Sequence, residues 1–217
     1  RNLDDNLELL VLRLKRKKYK PIPARRVYVP KREREKRPLG ISALENKIVE
    51  RGLTWILESI YEQDFLNCSY GFRPKRNSHQ ALKELNDLIM FQPINHIVEA
   101  DIKGFFDNVS HEKLIEFIRI RIKDTTLLTL IKRFLKAGYV DEGLLVKPDA
   151  GTPQGSILSP MLANIFLHYV LDTWFETTVK SHVRGFSAIV RYADDCVPRE
   201  RGGYGMTRLT HSQLHER

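Results

Sequence analysis

Asp194 and Asp195 stand side by side where an apolar run, Phe186-Ser187-Ala188-Ile189-Val190-Arg191, gives way to Tyr192-Ala193. Adjacent carboxylates repel one another unless a cation sits between them. The pair therefore reads either as a metal-binding turn or as a solvated hairpin turn. A third acid, Asp101, closes a second strand-like stretch, Ile94 to Ala100. Between them Gly151-Thr152-Pro153-Gln154-Gly155 runs into a helix opened by Ser159 as N-cap and Pro160 at its first position. Such a turn leaves backbone N–H groups for an anion or a ligand edge, or it merely connects two elements. The order of the three signals is more informative than each alone, because it places carboxylates from separate regions at one end of an antiparallel sheet. Three such acids hold two Mg²⁺ ions about 3.5–4 Å apart, an arrangement that activates an attacking hydroxyl and steadies a leaving phosphate oxygen.

These residues need elements to carry them. Ile189 and Val190 are β-branched, so the run before the acids reads as a buried strand. No alternation follows Val197, so the partner strand is expected to be missing and 198–217 to form an unstructured or non-native tail. Upstream, Leu3, Leu7, Leu10, Val11 and Leu14 recur at helical spacing, and Pro21 and Pro23 end that helix. Arg25 to Pro30 and Leu39 to Ile41 form a basic two-stranded hairpin. Ser42 and Glu45 read as a capping box for a helix burying Leu44, Ile48, Trp55, Ile56 and Ile60. The loop from Asn67 to Ser78 mixes aromatics with Arg73, Lys75 and Arg76, which suits a nucleic-acid strand or a plain connector. Ser78 caps a helix whose stripe, Ala81, Leu82, Leu85, Leu88 and Ile89, reads as core. Ser110 and Asp124 cap two more helices, Gly138 ends the second, and a small hairpin turns near Gly143.

Composition bounds the class. The 217 residues are 42% hydrophobic and 29% charged, which suits one globular unit or two small subdomains. Formal charge is +9. Thirteen Lys or Arg between Arg13 and Arg37 face only Glu33 and Glu35, so this stretch carries +11 and the remainder is nearly neutral. A concentrated basic patch fits a polyanion such as nucleic acid, or else a solvated helix face or interaction tail. Cys68 and Cys196 lack Cys-x-x-Cys spacing and the seven His are scattered, so neither a disulfide framework nor a zinc site is expected. Apolar stretches are broken by charge before membrane-spanning length, and no signal pattern opens the chain; a cytoplasmic protein is expected.

Five ordered blocks resemble the reverse transcriptases encoded by group II introns, which also act as intron maturases. They are Arg37-Pro38-Leu39-Gly40-Ile41, Ser69 to Pro74, Asp101 through Phe106-Asp107, Gly151 to Gly155 with Leu158-Ser159-Pro160, and Tyr192-Ala193-Asp194-Asp195. The resemblance runs from about Arg25 to Val197. It implies an α+β right-hand polymerase: fingers over 1–95 and a palm over 96–197 with an antiparallel ferredoxin-like sheet packed on helices, part of 112–150 packing with the fingers. It implies RNA-directed DNA synthesis with two Mg²⁺ held by Asp101, Asp194 and Asp195, with the Ile102 carbonyl as a backbone ligand. Lys31, Arg37, Phe105, Phe106, Gln154 and Gly155 would contact a deoxynucleoside triphosphate, Phe105 through its N–H and Phe106 beneath the sugar. Arg25, Arg26, Arg73, Lys75 and Arg76 would hold nucleic acid. Read from the residues alone, Phe105 and Phe106 are both better taken as core aromatics.

The implied partners are group II intron RNA, an RNA template with a DNA primer, and deoxynucleoside triphosphates, in a bacterial or organellar setting. No membrane is implied, and the resemblance leaves room for a homodimer. The chain departs from the family in lacking the segment before the fingers hairpin, the strand after the acids, and the thumb and maturase regions. A fragment with weak or no processive synthesis is the resulting expectation. Two alternatives keep the same residues: an RNA-binding splicing cofactor that does not need catalysis, and a defence- or CRISPR-associated reverse transcriptase.

Overall fold

A computed structural model describes residues 3–30, 36–94, 96–183 and 185–200, the last three of these as backbone. The chain groups into two compact units whose segments interleave. One takes the described residues of Arg1–Leu57 with Phe106–Ser159, the other those of Glu58–Phe105 with Pro160–Arg217. The unit boundaries fall after Leu57, Phe105 and Ser159.

In chain order the first unit begins with α1 (Leu3–Lys15), strand β1 (Ala24–Pro30), β2 (Lys36–Ile41) and the start of α2 (Leu44–Tyr61). β1 and β2 form the expected antiparallel hairpin, Arg25 opposite Ile41 and Val29 opposite Arg37. The second unit then takes α3 (Ser78–Phe91), β3 (His96–Ile97) and β4 (Ala100–Asp101), after which α4 (Phe105–Asn108) leads back. The first unit resumes with α5 (His111–Arg121), α6 (Thr125–Leu135), β5 (Tyr139–Asp141) and β6 (Leu144–Val146). β5 lies parallel to β1, giving a sheet of order β2-β1-β5-β6. Ser110 and Asp124 cap α5 and α6 as expected: Ser110 Oγ accepts from Lys113 N, and Asp124 Oδ1 accepts from the Thr126 and Leu127 amides. Gly138 and Gly143 take the left-handed φ that their turns require.

The helix α2 differs from its expected face. Leu44 is 73% exposed and Trp55 58%, whereas Asn46, Val49, Glu50, Leu53, Leu57 and Tyr61 are buried. The buried stripe carries polar residues that distant partners satisfy, so apolar spacing picked the wrong side. Asn46 accepts from Tyr19 Oη and the Ile22 amide and donates to the Ile22 carbonyl. Glu50 accepts from Ser42 Oγ and from the Ile157 amide. Ser42 and Glu45 are thus engaged elsewhere than in a capping box, Glu45 pairing with Arg13. Likewise α3 is capped by Asn77, not Ser78, through a reciprocal capping box with Gln80, and of its expected core stripe only Ala81 is fully buried.

The second unit ends in a long helical stretch and a hairpin. α7 (Ser159–Leu167) continues through two π-helical segments, His168–Asp172 and Phe175–Val179, to α8 (Lys180–His182). Ser159 does not act as an N-cap acceptor there; its hydroxyl donates to the Pro153 carbonyl. β7 (Ser187–Tyr192) then pairs antiparallel with β8 (Asp195–Glu200). The partner strand expected to be missing after the acids is therefore present. Cys196 and Val197 supply two residues that suit a strand, and β8 is held on both sides, by β7 and by β3 with β4, so it forms without an alternating pattern of its own. The strand expected over 94–101 is split into β3 and β4, both lying along β8. No helix among the described residues is long and apolar enough to cross a membrane.

Candidate active site

The acids sit where the ladder of the second unit ends. Tyr192 and Asp195 are paired, leaving Ala193 and Asp194 as a two-residue turn. Ala193 takes φ +58, a conformation that costs a non-glycine residue roughly 1 kcal/mol and that two-residue hairpins require at their first position. On the other edge of β8, Asp101 pairs directly with Asp195. Direct cross-strand partners project to one face with Cβ atoms about 5 Å apart, and like charges there are mutually destabilising. Neither the Asp101 nor the Asp195 side-chain carboxylate has a hydrogen-bond or ion-pair partner among the described residues, and both residues are exposed. Two unpaired carboxylates at this spacing suit a hard divalent cation. No group of three His, Cys, Asp or Glu among the described residues is gathered closely enough to hold a metal; Asp194 stands at the adjoining turn.

Beneath the turn lies a buried charge network that apolar periodicity passed over. Arg191 is fully buried and spends all five guanidinium donors. Nε and Nη2 reach Asp172 at 2.7 and 2.6 Å, Nη2 reaches Ser69 Oγ at 2.7 Å, and Nη1 reaches Asn164 Oδ1 at 3.0 Å and the Ala193 carbonyl at 2.9 Å. The signal was available: an Arg inside Ile189-Val190-Arg191-Tyr192 demands a buried acid, and Asn164 and Asp172 interrupt the apolar helix eight residues apart.

The Asn67 to Ser78 loop supports the same turn. Ser69 bridges Arg191 in parallel, the Tyr70 amide donates to the Arg191 carbonyl, and the Arg191 amide donates to the Cys68 carbonyl. Gly71 backs directly onto the turn; a Cβ there would stand 2.3 Å from Ala193 N. Arg73, expected to hold nucleic acid, is buried and commits its donors to Glu62 and to the Leu66 and Ser69 carbonyls, over the Phe65 ring. Arg76 bonds Asn67 and Ser69 and stacks on Tyr70. Lys75, at φ +61, remains exposed.

Phe105 is buried, 6.2 Å from Phe166, and its amide, expected at a triphosphate, donates to the Ile102 carbonyl at 3.1 Å. Core packing is thus the role the structure gives its ring. Burial holds both thiols protonated, Cys196 pushed up to about 11 and Cys68 to about 12. Neither offers a thiolate.

Arg37, Gln154, Gly155 and Phe106 fall in the first unit, apart in grouping from Asp101, Ile102, Phe105, Asp194 and Asp195. Arg37 Nε donates to Gln154 Oε1 at 3.4 Å, and the Gly40 amide donates to the Gln154 carbonyl at 2.7 Å. Gly155 takes φ +99, and a Cβ there would stand 2.4 Å from the Gly40 carbonyl oxygen, so only glycine fits against β2. The turn is less open to an anion than its composition suggested, because the amides of Gly151, Thr152, Ser156, Ile157 and Leu158 are already donated within the protein. Phe106 is half-buried and its carbonyl accepts from Thr152 N. On the hairpin Arg25 is exposed, while Arg26 lies 3.6 Å from the Tyr139 ring centroid and 3.9 Å from Asp141. Lys31 lies outside the described residues.

The chain is 45% identical over 166 residues to the group II intron-encoded protein LtrA of Lactococcus lactis subsp. cremoris, covering 76% of this chain and 27% of that protein's length. Among solved structures, telomerase from Candida albicans in complex with a TWJ fragment of telomeric RNA superimposes with a TM-score of 0.64 at 15% identity, covering 87% of this chain and 39% of that one. A partial Cas6-RT-Cas1–Cas2 complex gives 0.54 at 23% identity, covering 92% and 33%. These two similarities establish the fold, an α+β architecture with an antiparallel sheet packed on helices. Residues 29–198, most of the chain, match the reverse transcriptase (RNA-dependent DNA polymerase) family, and the chain belongs to that family.

Proposed function

We propose that this chain supplies the fingers and palm of a group II intron-encoded RNA-directed DNA polymerase. The observation that carries the proposal is the direct pairing of Asp101 with Asp195 beside the Asp194 turn. In this reading residues 1–95 belong to the fingers and 96–197 to the palm. Asp101, Asp194 and Asp195, with the Ile102 carbonyl, would hold two Mg²⁺. When bound, the metals would lower the pKa of a primer 3′-hydroxyl and neutralise charge on a departing pyrophosphate. The chain's own residues position the reactants: Arg37 and Lys31 offer charge to the triphosphate, and Gln154, oriented by Arg37 and by its own tie to β2, presents its amide to the nucleotide. Phe106 would lie beneath the incoming sugar and discriminate against a 2′-hydroxyl. Positioning and charge neutralisation account for most of the rate in such transfers.

The experiment is primer extension on poly(rA)/oligo(dT) by a protein that carries this chain, with Asp101→Asn and Asp194→Asn. Each is expected to lower the rate by at least about a hundredfold. Undiminished synthesis in both variants would sink the reading.

A second reading, RNA binding for splicing without a need for catalysis, is favoured by the exposed cations Lys15, Arg16, Lys18 and Arg25. The chain spans 27% of the length of LtrA, and intron RNA, primer and template belong to the whole protein. In the same Asp101→Asn variant, intact intron binding alongside lost extension would show both functions to reside in one protein.

A further inference from the structure

We infer that Arg191, Asp172 and Asn164 are positioning residues for the Asp194-Asp195 turn, and that the Ser69-Tyr70-Gly71 segment is the surface on which the turn is set. The inference rests on the reading of those acids as a cation site. A buried ion pair adds little stability over apolar residues of the same size, because removing two charges from water offsets their attraction. Stability alone does not explain why Arg191, at 0% exposure, faces an equally buried Asp172.

Its connections do. Through one planar group Arg191 joins the long helix, by Asn164 and Asp172, to the Ser69 hydroxyl and to the Ala193 carbonyl. That carbonyl belongs to the peptide linking Ala193 to Asp194. Asn164 takes part twice, since its Nδ2 donates to the Gly71 carbonyl at 2.8 Å while its Oδ1 accepts from Arg191. Gly71 in turn lies so close to the turn that a Cβ on it would stand 2.3 Å from Ala193 N.

The left-handed Ala193, strained without glycine, is thus held from below by a guanidinium and from the side by a backbone, and the direction of Asp194 follows from it. Asp172 ends the π-helical segment His168–Asp172; a π-turn inserts one residue into the helix and resets which side chains share a face. Lysine would not serve at 191, because a single ammonium cannot reach five acceptors in one plane.

The test uses Mn²⁺ as the probe, titrated into the 217-residue chain and followed by its EPR signal, with thermal unfolding measured in parallel. Arg191→Lys and Asn164→Ala are compared with Asp194→Asn. Residues that orient metal ligands typically cost 10–100-fold in affinity when changed, so both positioning variants are expected to weaken Mn²⁺ binding by about tenfold or more with cooperative unfolding retained. If Arg191→Lys does not fold, Asn164→Ala decides, because it keeps the Arg191–Asp172 pair. Parental Mn²⁺ affinity in the folded positioning variants, with affinity lost in Asp194→Asn, overturns the inference and leaves the cation site standing. Unchanged affinity in Asp194→Asn overturns the cation site itself, and the inference with it.

Discussion

His168 is 7% exposed, its rings' neighbours are Phe65 at 5.6 Å and Tyr169 at 4.8 Å, and its buried Nδ1 has no hydrogen-bond partner among the described residues. Burial pushes its pKa below the ordinary 6.5, although Asp172 and Asp64 pull the other way. With a lowered folded value, acidification protonates the unfolded chain first. The stabilisation is present above pH 6.5 and is lost as pH falls through the folded value. Urea midpoints are therefore expected to fall between pH 7.5 and pH 5, with a single-proton slope of at most about 1.4 kcal/mol per pH unit from this residue. His168→Leu should flatten that part of the profile; an unchanged slope would assign the acid sensitivity to other groups. Arg73 and Arg191 teach a related lesson. Each is a buried arginine whose acid partner lies elsewhere in the sequence: Arg73 pairs with Glu62 and Arg191 with Asp172.

At the scale of elements, α2 separates pattern from burial. Its most apolar face, with Leu44 and Trp55, is exposed, and its inward face mixes Leu53 and Leu57 with Asn46, Glu50 and Thr54. Leu57→Ala is expected to cost about 2–5 kcal/mol, since a fully buried side chain leaves a cavity. Trp55→Ala should cost far less, within about 1 kcal/mol, because the indole is largely solvated and its neighbour is the Arg51 guanidinium. Chemical denaturation of the two variants side by side checks this, and equal losses would show that the expected face is the buried one. The helices α5 and α6 were readable to their caps because Ser110 and Asp124 act on amides two to three residues away. The caps that failed, at Ser42, Ser78 and Ser159, failed where a hydroxyl found a more distant acceptor or a neighbouring Asn was better placed.

Across the whole molecule the formal charge of +9 is concentrated between Arg13 and Arg37. Lys15 ends α1 and Arg16 and Lys18 follow it, all three exposed, and under the RNA-binding reading proposed above they would meet phosphates. Replacing all three with Gln should weaken binding to single-stranded RNA and reduce the slope of log affinity against log salt by up to about 2, at roughly 0.7 per phosphate contact. An unchanged slope would remove this helix from the RNA-binding surface. Residue order alone was sufficient to identify the family, the hairpin β1–β2 and the strand β7, and it singled out the acids at 101, 194 and 195 as candidates, because each rests on local spacing or on an ordered set of motifs. It missed β8, whose formation depends on neighbours on both sides rather than on alternation. Only tertiary structure decided that Asp195 faces Asp101, that Gly71 is pressed against Ala193, and that Arg191 binds Asp172, Asn164 and Ser69. Partners up to 122 positions apart leave no periodic trace, yet a buried charge cannot remain without them.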